Sequence, residues 1–163
     1  MAKYDYSQPG AYFVTICVEG KESILGNVIN GEMNLSELGQ IAAERWSKIS
    51  VKYPHIHVDT HCIMPNHVHT IVSIHDTGRG EVSSPASQKG GETPPLRNVA
   101  LGTVVAFYKY ATTKAINELL DSPGTRFWQR NYYERIIRNE RDYEAIFEYI
   151  RANPQNWGQD EYF

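Results

Sequence analysis

The hydrophobic pattern divides the chain into short alternating runs and three longer runs with helical spacing. Ala11 to Val18 (Ala-Tyr-Phe-Val-Thr-Ile-Cys-Val) is β-branched and aromatic and predicts a strand. Between Ile24 and Leu35, the Asn30-Gly31 pair marks a tight hairpin turn between two short strand-like pieces. Ser36 offers an N-cap to a helix carrying Leu38, Ile41, Ala42, Arg45 and Ile49, which ends before Pro54. Ile56 to Ile63 and Val68 to Ile74, joined at Pro65-Asn66, read as a second hairpin. Val99 to Leu120 predicts a long helix in spite of Gly102, and Phe127 to Ile137 a strand. Asn139 caps a last helix that runs to about Asn153, where Pro154 stops it. On that helix Tyr143, Ile146, Phe147 and Ile150 form the buried stripe.

The order is strand, hairpin, helix, strand, strand, helix, strand, helix. It predicts an α+β domain, a mostly antiparallel sheet with helices packed on it and a ferredoxin-like character. Asp76 to Pro95 is rich in Gly, Ser, Pro and Thr, which predicts a flexible surface loop over 76–96. Neither side of that loop holds a complete set of layers, so residues 1–163 are expected to form a single domain.

Composition narrows the function classes. Met1 to Gly10 is polar, without the layout of a signal peptide, and no apolar run approaches the roughly 20 residues that span a bilayer. Cys17 and Cys62 both sit in strand-like runs and suggest no disulfide framework. A cytoplasmic protein with no membrane partner is expected. The net charge of −3 speaks against a non-specific nucleic-acid binder but leaves room for a local basic patch.

The most telling stretch is Met64-Pro65-Asn66-His67-Val68-His69. Side chains two apart on a strand project to one face, so His67 and His69 make half of a metal site. Imidazole ligands alone suggest zinc or another late transition metal; satisfied histidines on a polar sheet face are the plainer alternative. Tyr149 lies beside the buried stripe of the last helix, with Asn153 one turn later on the same face. The amide oxygen can ligate a cation, and the phenol can attack a phosphorus whose oxygens that cation polarises. A packing tyrosine and a helix-ending Asn-Pro would look the same. His55, His57, Asp59 and His61 alternate and are expected to share one solvated strand face. Tyr132 and Tyr133 are rival nucleophiles, but they stand in a predicted strand with no amide a turn away.

Met-Pro-Asn-His-Val-His at 64–69, together with Tyr-Ile-x-x-Asn-Pro at 149–154, resembles the HUH single-tyrosine transposases, most of all the REP-associated tyrosine transposase branch. Phe127-Trp128-Gln129-Arg130, Tyr133 to Arg138 and the helix Phe107 to Asn117 add to the resemblance, which runs from about Tyr12 to Trp157. It implies that His67, His69 and Asn153 bind one divalent cation, Mg²⁺ or Mn²⁺. It implies that Tyr149 attacks single-stranded DNA beside a hairpin, giving a 5′-phosphotyrosine and a free 3′-hydroxyl. Lys109, Lys114, Arg126, Trp128, Arg130, Arg135 and Arg138 are the expected DNA contacts. Members of the family include monomers and dimers that exchange the tyrosine helix, so a homodimer is allowed. The alternatives are a catalytically inactive hairpin-binding protein of the same fold and a zinc hydrolase built on His67 and His69.

Overall fold

The computed structural model describes residues 8–76 and 99–160; apart from Asp76, the loop expected at 76–96 lies outside the described residues. The order is β1 (Gly10–Cys17), β2 (Gly26–Ile29), β3 (Glu32–Leu35), α1 (Glu37–Ser47), α2 (Ile49–Lys52), β4 (Ile56–Ile63), β5 (His67–Ile74), α3 (Leu101–Leu119), β6 (Tyr133–Ile137) and α4 (Glu140–Ala152). The main sheet is antiparallel throughout, in the order β4-β5-β1-β6. With the β2–β3 hairpin set aside, this is the strand-helix-strand-strand-helix-strand path of a ferredoxin-like sheet.

Local chemistry explains most of the boundaries. Asn30 and Gly31 have φ of 53° and 77°, the two positive values that a tight two-residue hairpin turn requires. Ser36 caps α1, its Oγ accepting from the Gly39 N–H at 3.1 Å, and Asn139 caps α4 by accepting from the Asp142 N–H at 2.9 Å.

The two sheet faces carry different loads. Tyr12, Val14, Ile16, Val68 and Val72 pack against Ala42 and Trp46 of α1 and Leu101, Val104 and Tyr108 of α3. Trp46 and Tyr108 stack at 3.9 Å, and the Tyr108 hydroxyl donates to the Ala42 carbonyl at 3.1 Å. On the opposite face Ile150 of α4 meets Ile71 and Ile137, with Phe13, Cys62, Tyr143, Ile146 and Phe147 around them. The expected stripe of the last helix is therefore the one that packs. Because both faces are covered, β5 is buried at nearly every position.

Two expectations are corrected. The strand foreseen from Phe127 exists only over Tyr133–Ile137. Upstream of it Trp128 makes only an isolated bridge to Val18, and Lys109 Nζ reaches in from α3 and donates to the carbonyls of Gln129, Arg130 and Asn131. The last α-helix ends at Ala152, where Pro154 is expected to stop it, and the chain goes on as a 3₁₀ segment over Asn153–Gln159, with Pro154 in its first turn, where no N–H is needed. His57, Asp59 and His61 of β4 do not share one face, and His55 lies before the strand. A bulge between Val58 and Thr60 shifts the register, so His57 stands opposite Ser73 but His61 opposite Thr70, on the other side of the sheet. Asp59, at the bulge, accepts from Tyr143 at 3.0 Å.

Candidate functional site

The histidine pair is set by the turn that precedes it. The Met64 N–H donates to the His67 carbonyl, and the carbonyls of Pro65 and Asn66 accept from Leu25 and Val18, so the turn is held at three points. His67 and His69 then project from the α4 face of β5, the first fully buried and the second 1% exposed. Each ring has a partner at Nδ1, Asn66 Oδ1 at 2.8 Å for His67 and Thr15 Oγ1 at 2.8 Å for His69. With both Nδ1 atoms donating, both Nε2 lone pairs point inward, and the Nε2 atoms lie 3.0 Å apart.

Three side chains from the C-terminal end close the site. The Tyr149 hydroxyl lies 3.4 Å from His69 Nε2, although its residue is 44% exposed. Asp160 brings a carboxylate oxygen into a cluster with the two imidazoles in which the donor atoms all lie within 4.8 Å of one another. Asn153, 1% exposed, donates from Nδ2 to Asp160 Oδ2 at 2.8 Å. Its Oδ1 is buried and accepts no hydrogen bond among the described residues, so the amide keeps an unused acceptor beside the cluster. Phe13 stacks on the His69 ring at 5.3 Å and meets Tyr149 edge-on at 6.1 Å; Trp157 lies 5.8 Å from the His67 ring.

Burial controls the electrostatics. It pushes both histidines down to about 3, the proximity of Lys21 adding for His67 and that of His67 adding for His69, while Asp160 opposes the fall at His69. The imidazoles are thus neutral at physiological pH, the state a metal requires. Two donors bound at about 2.1 Å on adjacent corners of an octahedron lie about 3.0 Å apart, which matches the pair. The same spacing is a hydrogen-bond length when one Nε2 carries a proton. His67, His69 and Asp160 can therefore hold a metal ion, and the unused Asn153 oxygen adds to the fit.

The expected metal and catalytic residues thus come together within one chain. Of the expected nucleic-acid contacts, Lys109, Lys114, Arg126, Trp128 and Arg130 line one hollow, and Arg135 and Arg138 lie outside its lining. Lys114, Arg126 and Arg130 are exposed around this hollow of about 790 Å³ between α3 and the segment 121–130. Trp128 belongs to the core rather than the surface, 3% exposed and 5.7 Å from the Tyr108 ring. Lys109 is occupied by its three carbonyls. Arg135 and Arg138 are exposed at β6 and just beyond it. Sequence reasoning did not single out Thr15, Asn66 or Asp160. Asn66 adjoins the motif, and Thr15 could be found only once the β1–β5 register was known. For Asp160 the sequence carries no periodic or spacing signal.

No family model matches the chain. It is 36% identical over 164 residues to an uncharacterised protein of Haemophilus influenzae, an overlap of 98% of this chain and 88% of that one. Among solved structures, it resembles a REP-associated tyrosine transposase bound to a REP hairpin, with a TM-score of 0.63 and 20% identity over 99% of this chain and 77% of that one. A candidate transposase from Deinococcus radiodurans R1 matches with a TM-score of 0.51 and 14% identity, over 93% of this chain and 95% of that one. The chain belongs to one family with the Haemophilus influenzae protein and has the REP-associated tyrosine transposase fold.

Proposed function

We propose that this chain is a metal-dependent strand transferase that cuts single-stranded DNA beside a hairpin through a covalent bond to Tyr149. The observation that carries the reading is the Tyr149 hydroxyl 3.4 Å from His69 Nε2, beside two buried, neutral imidazoles and a half-buried carboxylate. His67, His69 and Asp160 would hold Mg²⁺ or Mn²⁺, with Asn153 orienting Asp160 and offering a further oxygen. When bound, that cation supplies positive charge to the non-bridging oxygens of a phosphodiester. Tyr149 Oη forms the new bond to phosphorus as the P–O3′ bond breaks. The phenolic proton is lost to solvent and the departing 3′ oxygen takes one up, leaving a 5′-phosphotyrosine and a 3′-hydroxyl. Attack by another DNA 3′-hydroxyl reverses these steps and joins strands, so the bond energy is retained and no nucleotide cofactor is consumed.

The solved structure with TM-score 0.63 holds a REP hairpin, which supports a hairpin as the DNA partner. Lys114, Arg126 and Arg130 are suited to its backbone, Arg135 and Arg138 to the strand near the site. A non-catalytic hairpin binder would keep the first set and form no bond. The whole chain acts as one domain in this reading, because β6 pairs with β1 and α4 covers one face of the sheet that they share.

Hairpin DNA from the flanks of the protein's own gene, incubated with the protein and Mn²⁺, is expected to give a covalent adduct on a denaturing gel. Tyr149→Phe and His67→Ala should each abolish it. An adduct that survives Tyr149→Phe overturns the assignment of nucleophile. Tight hairpin binding by the wild-type chain with no adduct in either metal leaves the non-catalytic binder.

A further inference from the structure

Next to the nucleophile the sheet presents a second aromatic that the strand-transfer reading leaves without a role. Thr15 of β1 stands opposite His69 on one side and Tyr133 of β6 on the other. Directly opposed residues project to the same face, so His69, Thr15 and Tyr133 form one row across three strands. Two strand spacings, roughly 10 Å, separate the ends of that row. In the next row Phe13 stands opposite Arg135. Phe13 lies beneath the group, 5.3 Å from the His69 ring, 6.1 Å from Tyr149 and 6.1 Å edge-on from Tyr133.

Exposure separates these aromatics. Tyr133 is 51% exposed, while its neighbour Tyr132 is half-buried with Lys109 Nζ 5.4 Å from its ring. β6 is the edge of the sheet, so a chain can approach Tyr133 from the side as well as from above. Arg135, two residues on and on the same face, is exposed and makes no ion pair among the described residues. An open ring with a guanidinium one step away, beside a cluster suited to a phosphate, matches the repeat of single-stranded DNA: a flat base, then a charge.

We propose that Tyr133 and Arg135 form a nucleotide platform, on which the base next to the scissile phosphate stacks on the Tyr133 ring while Arg135 pairs with the adjoining phosphate. This rests on the strand-transfer reading and extends it from chemistry to grip. Tyr133 acts through the face of its ring, so its hydroxyl is dispensable. That requirement separates a platform from a rival nucleophile.

The test uses the full chain carrying Tyr149→Phe, so that binding is read without reaction, and a hairpin whose single-stranded flank carries 2-aminopurine at each position in turn. One position is expected to show quenched fluorescence on binding. Tyr133→Ala should restore that fluorescence and weaken binding about 5- to 150-fold, whereas Tyr133→Phe should keep both. Removing the base at that position should make the parent and Tyr133→Ala bind alike. Arg135→Gln should lower the slope of log affinity against log salt by about one. Quenching and affinity unchanged in Tyr133→Ala would overturn the platform alone. So would loss of the covalent adduct when Tyr133→Phe is placed in the chain that retains Tyr149. A parent that binds no hairpin DNA overturns the strand-transfer reading and the platform together.

Discussion

Thr15→Val tests whether the paired imidazoles are built to face a cation. Thr15 is 2% exposed and its Oγ1 lies 2.8 Å from His69 Nδ1. Valine fills nearly the same volume, so the substitution removes a hydrogen bond without opening a cavity. A buried ring nitrogen left without its partner costs about 1–3 kcal/mol of stability. The second effect is the informative one. Without the hydroxyl, nothing fixes His69 in the tautomer that turns its Nε2 lone pair towards His67. Loss of such a partner behind a ligand typically weakens metal binding about 10- to 100-fold, or roughly 1.4–2.7 kcal/mol. Calorimetric titration with Mn²⁺ at neutral pH reads the affinity, and urea unfolding of the metal-free protein reads the stability. Thr15→Ser, which keeps the hydroxyl, should retain wild-type affinity. If Thr15→Val loses stability yet binds Mn²⁺ as the wild type does, the hydroxyl is merely structural. If Thr15→Ser falls as far as Thr15→Val, packing rather than the hydrogen bond is responsible.

Four other outcomes are expected. In the metal-free protein both site histidines have their pKa lowered to about 3 by burial, so below about 6.5 the unfolded chain binds more protons than the folded one. Stability should be level above that pH and fall below it by up to about 1.4 kcal/mol per unit for each histidine; a urea midpoint independent of pH from about 7 to about 5 would contradict the burial argument. Asp160→Asn should weaken Mn²⁺ binding at least about 10-fold by calorimetry, and undiminished affinity would remove Asp160 from the ligand set. Gly39→Ala would bring a Cβ to 2.0 Å from the Leu25 carbonyl oxygen, so a loss of about 1–3 kcal/mol or more is expected in thermal melts. Lys109→Met should lower the melting temperature while leaving the salt dependence of hairpin binding unchanged, because its ammonium is held by three carbonyls.

What the sequence made legible follows from what is local. The Asn30-Gly31 turn, the Ser36 and Asn139 caps and the stripe through Ile150 all depend on residues within a turn or two, and all are found where the pattern places them. The His-x-His spacing needs only the period of a strand. The misreadings arise where a distant residue intervenes. Lys109 takes the carbonyls of residues 129–131 from another element, and one extra residue in β4 turns His61 to the opposite face. Trp128 is a large aromatic among arginines, and composition alone cannot tell a stacking platform from a ring that plugs the core against Tyr108. Asp160 reaches the site only because a 3₁₀ segment carries the chain past Pro154 and back over β5, a path that no periodicity encodes.

Burial within the site also bears on the choice between a phenol and a bound water as the attacking group. The histidines sit at the centre of the sheet, one fully buried and one 1% exposed, where Asn66 and Thr15 hold their rings and the dielectric keeps them neutral. Rigid ligands in a dry setting suit either chemistry. The approach from outside decides between them. A hydrolase needs that side open to water, with a base to take its proton. Here the outward side of His69 is met by the Tyr149 hydroxyl at 3.4 Å, on a side chain that is 44% exposed and so within reach of a DNA strand. Ligands that need fixing are buried, and the group that must meet a macromolecular substrate is at the surface. That division favours a tyrosine nucleophile over a bound water, and it sets Tyr149→Phe as the variant that separates the two: a water-activating site would keep cutting DNA without the phenol, whereas the strand transferase would stop.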